Sequence, residues 1–505
     1  MEEGVPKSPA SLPSTMDVPP RSVSPWDVFG VAIVVAFAIS LFVLSSAVEE
    51  RPLADALLMD PSTAVQLGDE WMGIQYQGRK VGLLHLRKSA REAGGYHFAL
   101  RTHLRLIGFD GDATLVMDVG ADLTAAMALE RFDFRVEAGP AVFRGAGTVR
   151  DGALALRIET GGAVIEDTVP LEHPPVLRAN LGAVLSTKRL EPGAVLRFHV
   201  FDPLTRRQQA IDVEVVGPET LHVLGHAVPA THIRQRFGGM VLNGWLNGRG
   251  EMLKQELGLG LVAVRETEEE ARFGLLPANA GVDLVRATMI PVAGLPASLT
   301  ARSRLALQLS GLPAAGMDLS DRRQRLVDGV LTVTREPVGR GLLIPVSQPP
   351  SGSLAADALI QSDHPRIVAA ARRIKGDALD TLTVARRLLA WLRENIEQKG
   401  VMGVPSALET LETRVGDCNE HSTLFAALAR SVGVPTRLVV GLVYVKGRFG
   451  YHAWNEVLTA DGWLSVDATW GQLPVDVGHL AFLRGGLEQQ VRLLPLMGRL
   501  RITVP

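Results

Sequence analysis

Near residue 355 the hydrophobic period of the chain changes from that of strands to that of helices, and this change limits the folds open to it. From about Trp71 to Glu270, short apolar runs are separated by Gly-marked turns, as in GIQYQGRKVGLLHLR and AIDVEVVGPETLHVLGHAVPATHIRQRF. Strands at such short, regular spacing indicate an open antiparallel sheet, a sandwich or a half-barrel. No His, Asp and Glu cluster with metal-ligand spacing occurs there. We predict an antiparallel β region over residues 66–290 that acts as a binding module or a spacer.

Two further apolar stretches, SRLALQLSGL and LVDGVLTVTREPVGRGLLIPVS, predict a small β segment over residues 300–350, followed by the linker QPPSGS. Helical spacing then begins, and it predicts helices from His364 to Gly376 and from Leu379 to Ile396. A chain of 505 residues is too long for one hydrophobic core. We therefore predict a separate α+β domain over residues 355–490.

The N-terminus carries the strongest membrane signal. Residues 1–27 are rich in Pro and Ser and are predicted to be a disordered tail. Val28–Val48 contains no charge and no proline, and it reaches the roughly 20 apolar residues that a spanning helix needs. The charged residues that flank the run weakly favour an N-terminus on the cytoplasmic side of the membrane. We predict an uncleaved anchor, although the small triplet Ser45–Ala47 leaves signal-peptide cleavage open. Both alternatives export the remaining chain.

Charge and cysteine content exclude several classes of protein. The 52 basic and 54 acidic side chains leave a net charge of -2, so nothing favours a nucleic-acid partner. Cys418 is the single cysteine, and it cannot form an internal disulfide. A lone cysteine is by default a small buried hydrophobic residue. Any argument that Cys418 is reactive must therefore come from the residues around it in the sequence.

The segment around Cys418 has the pattern of a helix start. Asp417 is a plausible N-cap, an apolar stripe follows at helical spacing, and Gly433 and Pro435 mark the end. Cys418 would then lie in the first turn, where the helix carries roughly half a positive charge. That field favours the thiolate and predicts a lowered thiol pKa. Free backbone N–H groups there could stabilise an oxyanion.

Strands are predicted next, over 436–445, 451–459 and 463–467. Period-two alternation places His452, Trp454 and Glu456 on one face of the second strand. A tight Asp-Gly turn would place Asp467 opposite Glu456, about 13 Å along the strand from His452 at ~3.3 Å per residue. Direct contact between His452 and Asp467 would then require a loop of about six residues or a bulge.

These blocks resemble the transglutaminase-like superfamily, and most closely its bacterial membrane-anchored members. The resemblance rests on Gly-Asp-Cys-Asn-Glu-His, Gly-Val-Pro-Thr-Arg, His-Ala-Trp and Trp-x-x-x-Asp, in order, within residues 364–475. It implies a papain-like fold in which a Cys-bearing helix packs on an antiparallel sheet. It also implies that Cys418 is the nucleophile, His452 the general base and acid, and Asp467 the group that orients the imidazole. Ala468 follows Asp467 where the family more often has proline.

A Cys–His pair supports acyl transfer through a thioester, which water or an amine then resolves. We predict hydrolysis of amide bonds in cell-envelope proteins or peptides, with transamidation as the alternative. The predicted location is the bacterial inner membrane, single-pass, with the catalytic domain outside the cytoplasm. No cofactor motif is present.

Two other interpretations compete for the same residues. Cys418-x-x-His421 has zinc-ligand spacing, and His452 or His479 could complete such a site. Alternatively, the fold is retained in a binding or scaffold protein that has lost activity. A pocket that seals Cys418 from solvent would favour the scaffold.

Overall fold

The computed structural model describes residues 66–108, 111–125, 127–138, 141–160, 163–172, 185, 190–202, 207–237, 240–273, 289–312, 317, 319–399, 406–485, 493, 496 and 499–505. The predicted tail and the predicted anchor Val28–Val48 lie outside these ranges. Within them, no helix has the length and apolar character that crossing a bilayer requires.

The first part of the chain forms one large antiparallel sheet built from two meanders. Within the described ranges it has 14 strands, in the order β8-β7-β6-β5-β4-β3-β2-β1-β14-β13-β12-β11-β10-β9. The first meander contains β1 Gly68–Tyr76, β2 Arg79–Ala90, β3 Tyr96–Gly108, β4 Gly111–Leu123, β5 Leu129–Ala138, β6 Ala141–Arg150, β7 Ala153–Thr160 and β8 Ala163–Pro170. The second contains β9 Val195–Asp202, β10 Arg207–Val223, β11 His226–Phe237, β12 Met240–Leu246, β13 Met252–Gly258 and β14 Leu261–Glu266. The predicted large antiparallel β region is confirmed.

Buried and exposed side chains alternate along the strands, which gives the sheet one buried face and one exposed face. On β3, Phe98, Leu100 and Leu104 are buried, whereas Arg101 between them is exposed and pairs with Asp118 on β4. The hairpin of β1 and β2 turns at Gln77 and Gly78, which both have positive φ as a type I′ turn requires. A short helix, α1 Glu268–Arg272, follows β14.

A small antiparallel sheet connects the β region to the last domain. It contains β16 Arg304–Ser310, β17 Gln324–Val327, β18 Val330–Thr334 and β25 Arg501–Thr503, in the order β17-β18-β16-β25. The last of these strands comes from the end of the chain. The Arg323 guanidinium is buried and donates to the backbone carbonyls of Asp476 and His479. These hydrogen bonds connect the small sheet to the segment 476–479, which carries part of the candidate site.

The last domain begins with helices, two of which lie within the predicted ranges 364–376 and 379–396. These are α2 Pro365–Lys375, α3 Thr381–Asn395, α4 Ala407–Thr413 and α5 Cys418–Ser431, with the short strands β19 Glu397–Gln398 and β20 Val415–Gly416 between them. His364 caps α2 at its N-terminus and Gly376 ends it. Asp380 caps α3 through two backbone N–H groups. The α4 helix was not predicted.

The domain is completed by a sheet against which α5 packs. Its strands are β15 Ile290–Pro291, β21 Thr436–Val445, β22 Arg448–Thr459, β23 Gly462–Val466 and β24 His479–Arg484. They lie in the order β15-β22-β21-β24, and β23 pairs with β22. Every residue of α5 from Cys418 to Ala429 is buried. The predicted α+β core, with Cys418 at a helix start, is confirmed.

Candidate active site

Cys418 is the first residue of α5, and a capping box fixes the helix start. The Asp417 side chain accepts a hydrogen bond from the Asn419 N–H at 2.8 Å, and Glu420 Oε2 accepts one from the Asp417 N–H at 3.0 Å. Asp417 thus has the cap role predicted for it. The Cys418 side chain is completely buried, with 0 % of its surface exposed.

The first turn of α5 lies against β22 at His452. Tyr451 donates its hydroxyl hydrogen bond to Asn419 Oδ1 at 3.2 Å, and the backbone N–H of Ala453 hydrogen-bonds the Cys418 sulfur. The two residues that flank His452 therefore both contact the start of the helix. These contacts place the N-terminus of α5 beside the segment of β22 that carries His452.

Asp467 holds the imidazole of His452. The Nε2 atom of His452 lies 2.9 Å from Asp467 Oδ2, and both side chains are fully buried. The other ring nitrogen, Nδ1, is buried and has no hydrogen-bond partner among the described residues. With Nε2 held by the carboxylate, Nδ1 is the nitrogen left to exchange a proton with a thiol.

The register that permits this contact differs from the expected one. The hairpin turns on Ala460 and Asp461, because Thr459 pairs with Gly462. The turn lies one residue earlier than an Asp-Gly turn, so Asp467 follows the Asn455–Val466 pair and comes opposite Trp454. The expected need for a longer loop or a bulge was wrong. A diagonal reach of two residues, roughly 7 Å, lies within the span of the two side chains.

Two residues that the sequence did not associate with the triad extend the network. His479, on β24, places Nε2 3.1 Å from Asp467 Oδ2 and Nδ1 3.1 Å from Asp476 Oδ1. The sequence indicated His479 only as a possible zinc ligand. A His twelve residues after Asp467 gives no local signal, since only the pairing of β24 with β21 brings it back to the site.

Both oxygens of the Asp467 carboxylate accept hydrogen bonds. Its Oδ1 accepts the backbone N–H groups of Thr469 at 2.8 Å and Trp470 at 3.1 Å, while Oδ2 faces both histidines. Burial alone would raise the pKa of Asp467, but the charge and hydrogen bond of His452 and the hydrogen bond of His479 hold it well below its ordinary value. Asp467 is therefore an anion.

The thiol has the opposite pKa shift from the expected one. Burial raises the pKa of the Cys418 thiol well above its ordinary value, and the neighbouring Asp417 carboxyl adds to the rise. The N–H of Ala453 opposes this shift only in part. The expectation of a lowered pKa was wrong, because complete removal of water outweighs the helix N-terminus. In this closed state the thiol is protonated.

The capping carboxyls are also perturbed. Burial raises the pKa of Asp417 and raises that of Glu420 well above its ordinary value, where the adjacent Asp417 charge adds to the shift. Asp417 Oδ2 is buried without a hydrogen-bond partner among the described residues. Two carboxyls this close do not both ionise easily, so the pair favours a shared proton.

Aromatic rings enclose the histidines. Trp470 stacks on His452 with ring centroids 4.9 Å apart, and Trp454 meets His479 edge-on at 5.3 Å. Trp463 lies elsewhere, under the guanidinium of Arg437. Glu456 pairs with Arg437 and Arg484.

The described residues offer one group that is close enough to hold a metal. Candidate ligand atoms of His452, Asp467 and His479 lie within 4.8 Å of one another. The same atoms already form the His–Asp hydrogen bonds, so the cluster is accounted for without an ion. In the described ranges, neither Cys418 nor His421 belongs to such a group. His421 instead places Nδ1 2.8 Å from the Asp417 carbonyl oxygen, one turn back on the helix.

Residues 368–468 match the family model of the transglutaminase-like superfamily. The chain therefore carries a transglutaminase-like superfamily domain, and Cys418, His452 and Asp467 all lie within it. The predicted resemblance is confirmed.

Comparison with solved structures gives weaker similarities. A "Putative Cysteine Protease from Cytophaga hutchinsonii" matches at 16 % identity and a TM-score of 0.25, covering 43 % of this chain and 80 % of that one. A beta-barrel-like protein of a domain of unknown function from Brucella abortus matches at 14 % identity and a TM-score of 0.32, covering 40 % and 98 %. Similarities at this level carry no argument about mechanism. No curated protein matches the chain.

Proposed function

We propose that the transglutaminase-like domain is a cysteine-dependent acyl-transfer enzyme that cleaves amide bonds in proteins or peptides. The observation that carries the proposal is the fixed imidazole of His452. Asp467 holds its Nε2 at 2.9 Å, and its Nδ1 has no partner within the described residues, at the point where β22 contacts the start of α5. This arrangement suits a base that takes a proton from Cys418.

The chemistry follows from the residues. His452 Nδ1 accepts the Cys418 proton, and the sulfur forms a bond with the acyl carbon of the substrate. The imidazolium, stabilised by the Asp467 anion, then protonates the amine as the carbon–nitrogen bond breaks, which leaves a thioester. Water gives up a proton to His452 and attacks the thioester, releasing the acid and restoring the thiol. The backbone N–H of Cys418 is the oxyanion donor that a helix first turn offers.

Access to the site requires a conformational change. Cys418, His452 and Asp467 are each 0 % exposed. A substrate carbonyl therefore reaches the sulfur only when the structure opens, and opening also returns water to the thiol. Rehydration removes the cause that raises the thiol pKa, so opening and nucleophile activation are coupled.

The same burial favours a second candidate, a binding or scaffold protein that retains the fold without turnover. A sealed Cys418 is the feature expected of such a protein. Transamidation is a further outcome of the proposed mechanism, reached when an amine resolves the thioester. On the topology expected from Val28–Val48, the substrates would be proteins or peptides of the cell envelope, met outside the cytoplasm.

Activity measurements on the full-length chain test the proposal. The protein would be incubated with quenched-fluorescent peptide libraries, and separately with a glutamine-containing protein and a fluorescent primary amine. We expect peptide cleavage that disappears in Cys418→Ala. Incorporation of the amine would favour transamidation. Absence of both activities, together with a Cys418 thiol that behaves identically in the presence and absence of His452, would support the scaffold.

A further inference from the structure

His479 occupies an unusual position for a histidine outside the triad. It is fully buried, and each of its ring nitrogens faces a carboxylate oxygen, Asp467 Oδ2 and Asp476 Oδ1, both at 3.1 Å. A neutral imidazole has one N–H and one acceptor nitrogen. An acceptor nitrogen facing an anionic oxygen would be repelled, so two such contacts require two ring protons or a protonated carboxyl.

The carboxyls are not the protonated partners. Burial would raise the pKa of Asp476, but the hydrogen bond and charge of His479 and the Gly478 N–H lower it below its ordinary value. Asp467 is likewise held anionic. Burial alone would lower the pKa of His479, yet the hydrogen bonds and charges of Asp467 and Asp476 raise it. Both carboxyls are thus anions, and the proton resides on the ring.

The other charged or polar groups near His479 do not bridge Asp467 and Asp476 as His479 does. Arg323 donates to the backbone carbonyls of His479 and Asp476, and its guanidinium lies 3.8 Å from Glu336. Asp476 Oδ2 receives a 3.3 Å contact from the Gln472 amide. The His452 ring is edge-on to His479 at 5.6 Å. The Arg323 guanidinium thus binds backbone carbonyls and not the Asp467 carboxylate.

We infer that His479 is a positioning residue, held as a buried imidazolium between Asp476 and Asp467, which fixes the Asp467 carboxylate against His452 and supplies a positive charge beside the catalytic pair. This inference rests on the proposed function.

The protonation state of His479 is tested independently of catalysis. Full-length protein labelled with ¹⁵N in the histidine rings would be followed by long-range ¹H–¹⁵N correlation spectra from pH 5 to 9. The His479 signals would be assigned by their absence in His479→Gln. We expect both nitrogens to show the imidazolium pattern at pH 7 and above. A neutral single tautomer at pH 7, or a stoichiometric metal lost in His479→Gln, would overturn the inference.

The influence of His479 on the pair is tested by the pH dependence of Cys418 alkylation. Loss of a positive charge raises the pKa of nearby acids, so the midpoint of the profile should rise in His479→Gln. The His479 ring lies 5.6 Å from the His452 ring, centroid to centroid. We expect a shift of roughly one to two pH units, the size that a unit charge at about this distance from the pair produces at an effective dielectric of about 20. Asp476→Asn should shift it in the same direction by less.

His97→Gln is the control, because His97 forms a His–carboxylate pair with Asp122 in the β region at 2.7 Å. It should leave the alkylation profile unchanged. An unchanged midpoint in His479→Gln would refute the positioning role. If alkylation is also insensitive to His452→Ala, the proposed function fails instead, and the spectra still decide whether His479 is an imidazolium.

Discussion

Asp467 accepts a hydrogen bond from His452 Nε2 at 2.9 Å although the hairpin places it opposite Trp454, two residues further along β22. The contact is diagonal across the two strands, and Asp467 is the first residue after the end of β23. Backbone N–H groups of Thr469 and Trp470 fix the other carboxylate oxygen. The position of Asp467 is thus determined by the turn that follows β23 as much as by the strand itself.

Asp467→Asn should lose both activity and stability. An amide cannot present an anion to two histidines, and its NH₂ would face an N–H donor. We expect a fall in turnover on the order of 10²–10⁴, and a loss of about 3–5 kcal/mol in the free energy of unfolding, as for a broken buried pair. Peptide cleavage and urea denaturation measure the two effects. Asp377→Asn is the control, because its pair with Arg387 is exposed and should contribute little to stability.

Gly441→Ala should damage the site from the neighbouring strand. Gly441 pairs with His452 in the β21–β22 register. A Cβ there would overlap the carbonyl oxygen of Leu480 and lie 2.9 Å from the Trp454 ring. We expect a loss of roughly 1–3 kcal/mol or more, because backbone cannot move aside cheaply. Gly248→Ala, which meets no atom within 4 Å, should stay within about 0.5 kcal/mol of wild type in the same denaturation experiment.

Glu420→Gln should stabilise the protein at high pH. The folded-state pKa of Glu420 is raised, so between the unfolded value of about 4.3 and the folded value the native state binds more protons. Wild-type stability therefore falls as pH rises through that window, while Gln has no proton to lose. The Gln carbonyl can still accept the Asp417 N–H. Denaturation at pH 4 and pH 8 should show an advantage over wild type that grows with pH.

Glu394→Gln, on the exposed face of α3, is the matched control for this measurement. It should track wild type at both pH values. An advantage of Glu420→Gln that shrinks as pH rises would contradict the assignment of a proton to the Asp417–Glu420 pair.

Trp470→Ala should weaken the histidine site, whereas Trp470→Phe should largely preserve it. The indole stacks on His452 at 4.9 Å and is 8 % exposed, so it limits contact of the His452–Asp467 hydrogen bond with water. Truncation to Ala should cost about 3–5 kcal/mol of stability and reduce turnover. A phenyl ring retains most of the stacked surface. Equal activity of the two variants would show that the stack has no role in the site.

The sequence predicted local features well where a cap or a period defines them. Helix α2 lies within the predicted range from His364 to Gly376, and Asp417 occupies the predicted cap position before α5. The large antiparallel sheet was foreseen from its turns, but its order was not, because the pairing of β1 with β14 joins residues far apart in the chain.

The site could be predicted only in part, for the same physical reason. His452 and Asp467 were selected, yet their register depended on a one-residue difference in the turn at Ala460. The roles of His479 and Asp476 arise from β24 pairing with β21, which no local pattern encodes. The burial of Cys418, and hence the direction of its pKa shift, depends on everything packed around α5.

Alkylation of Cys418 by iodoacetamide, followed by intact mass from pH 5 to 10, tests the central claim most directly, because Cys418 is the only cysteine. In wild type we predict labelling that is slower than for a free thiol, as burial requires, with a pH profile governed by His452. His452→Ala should slow labelling at neutral pH at least about tenfold, while His97→Gln should not. Identical rates and profiles in wild type and His452→Ala would contradict the claim that these residues form a catalytic pair.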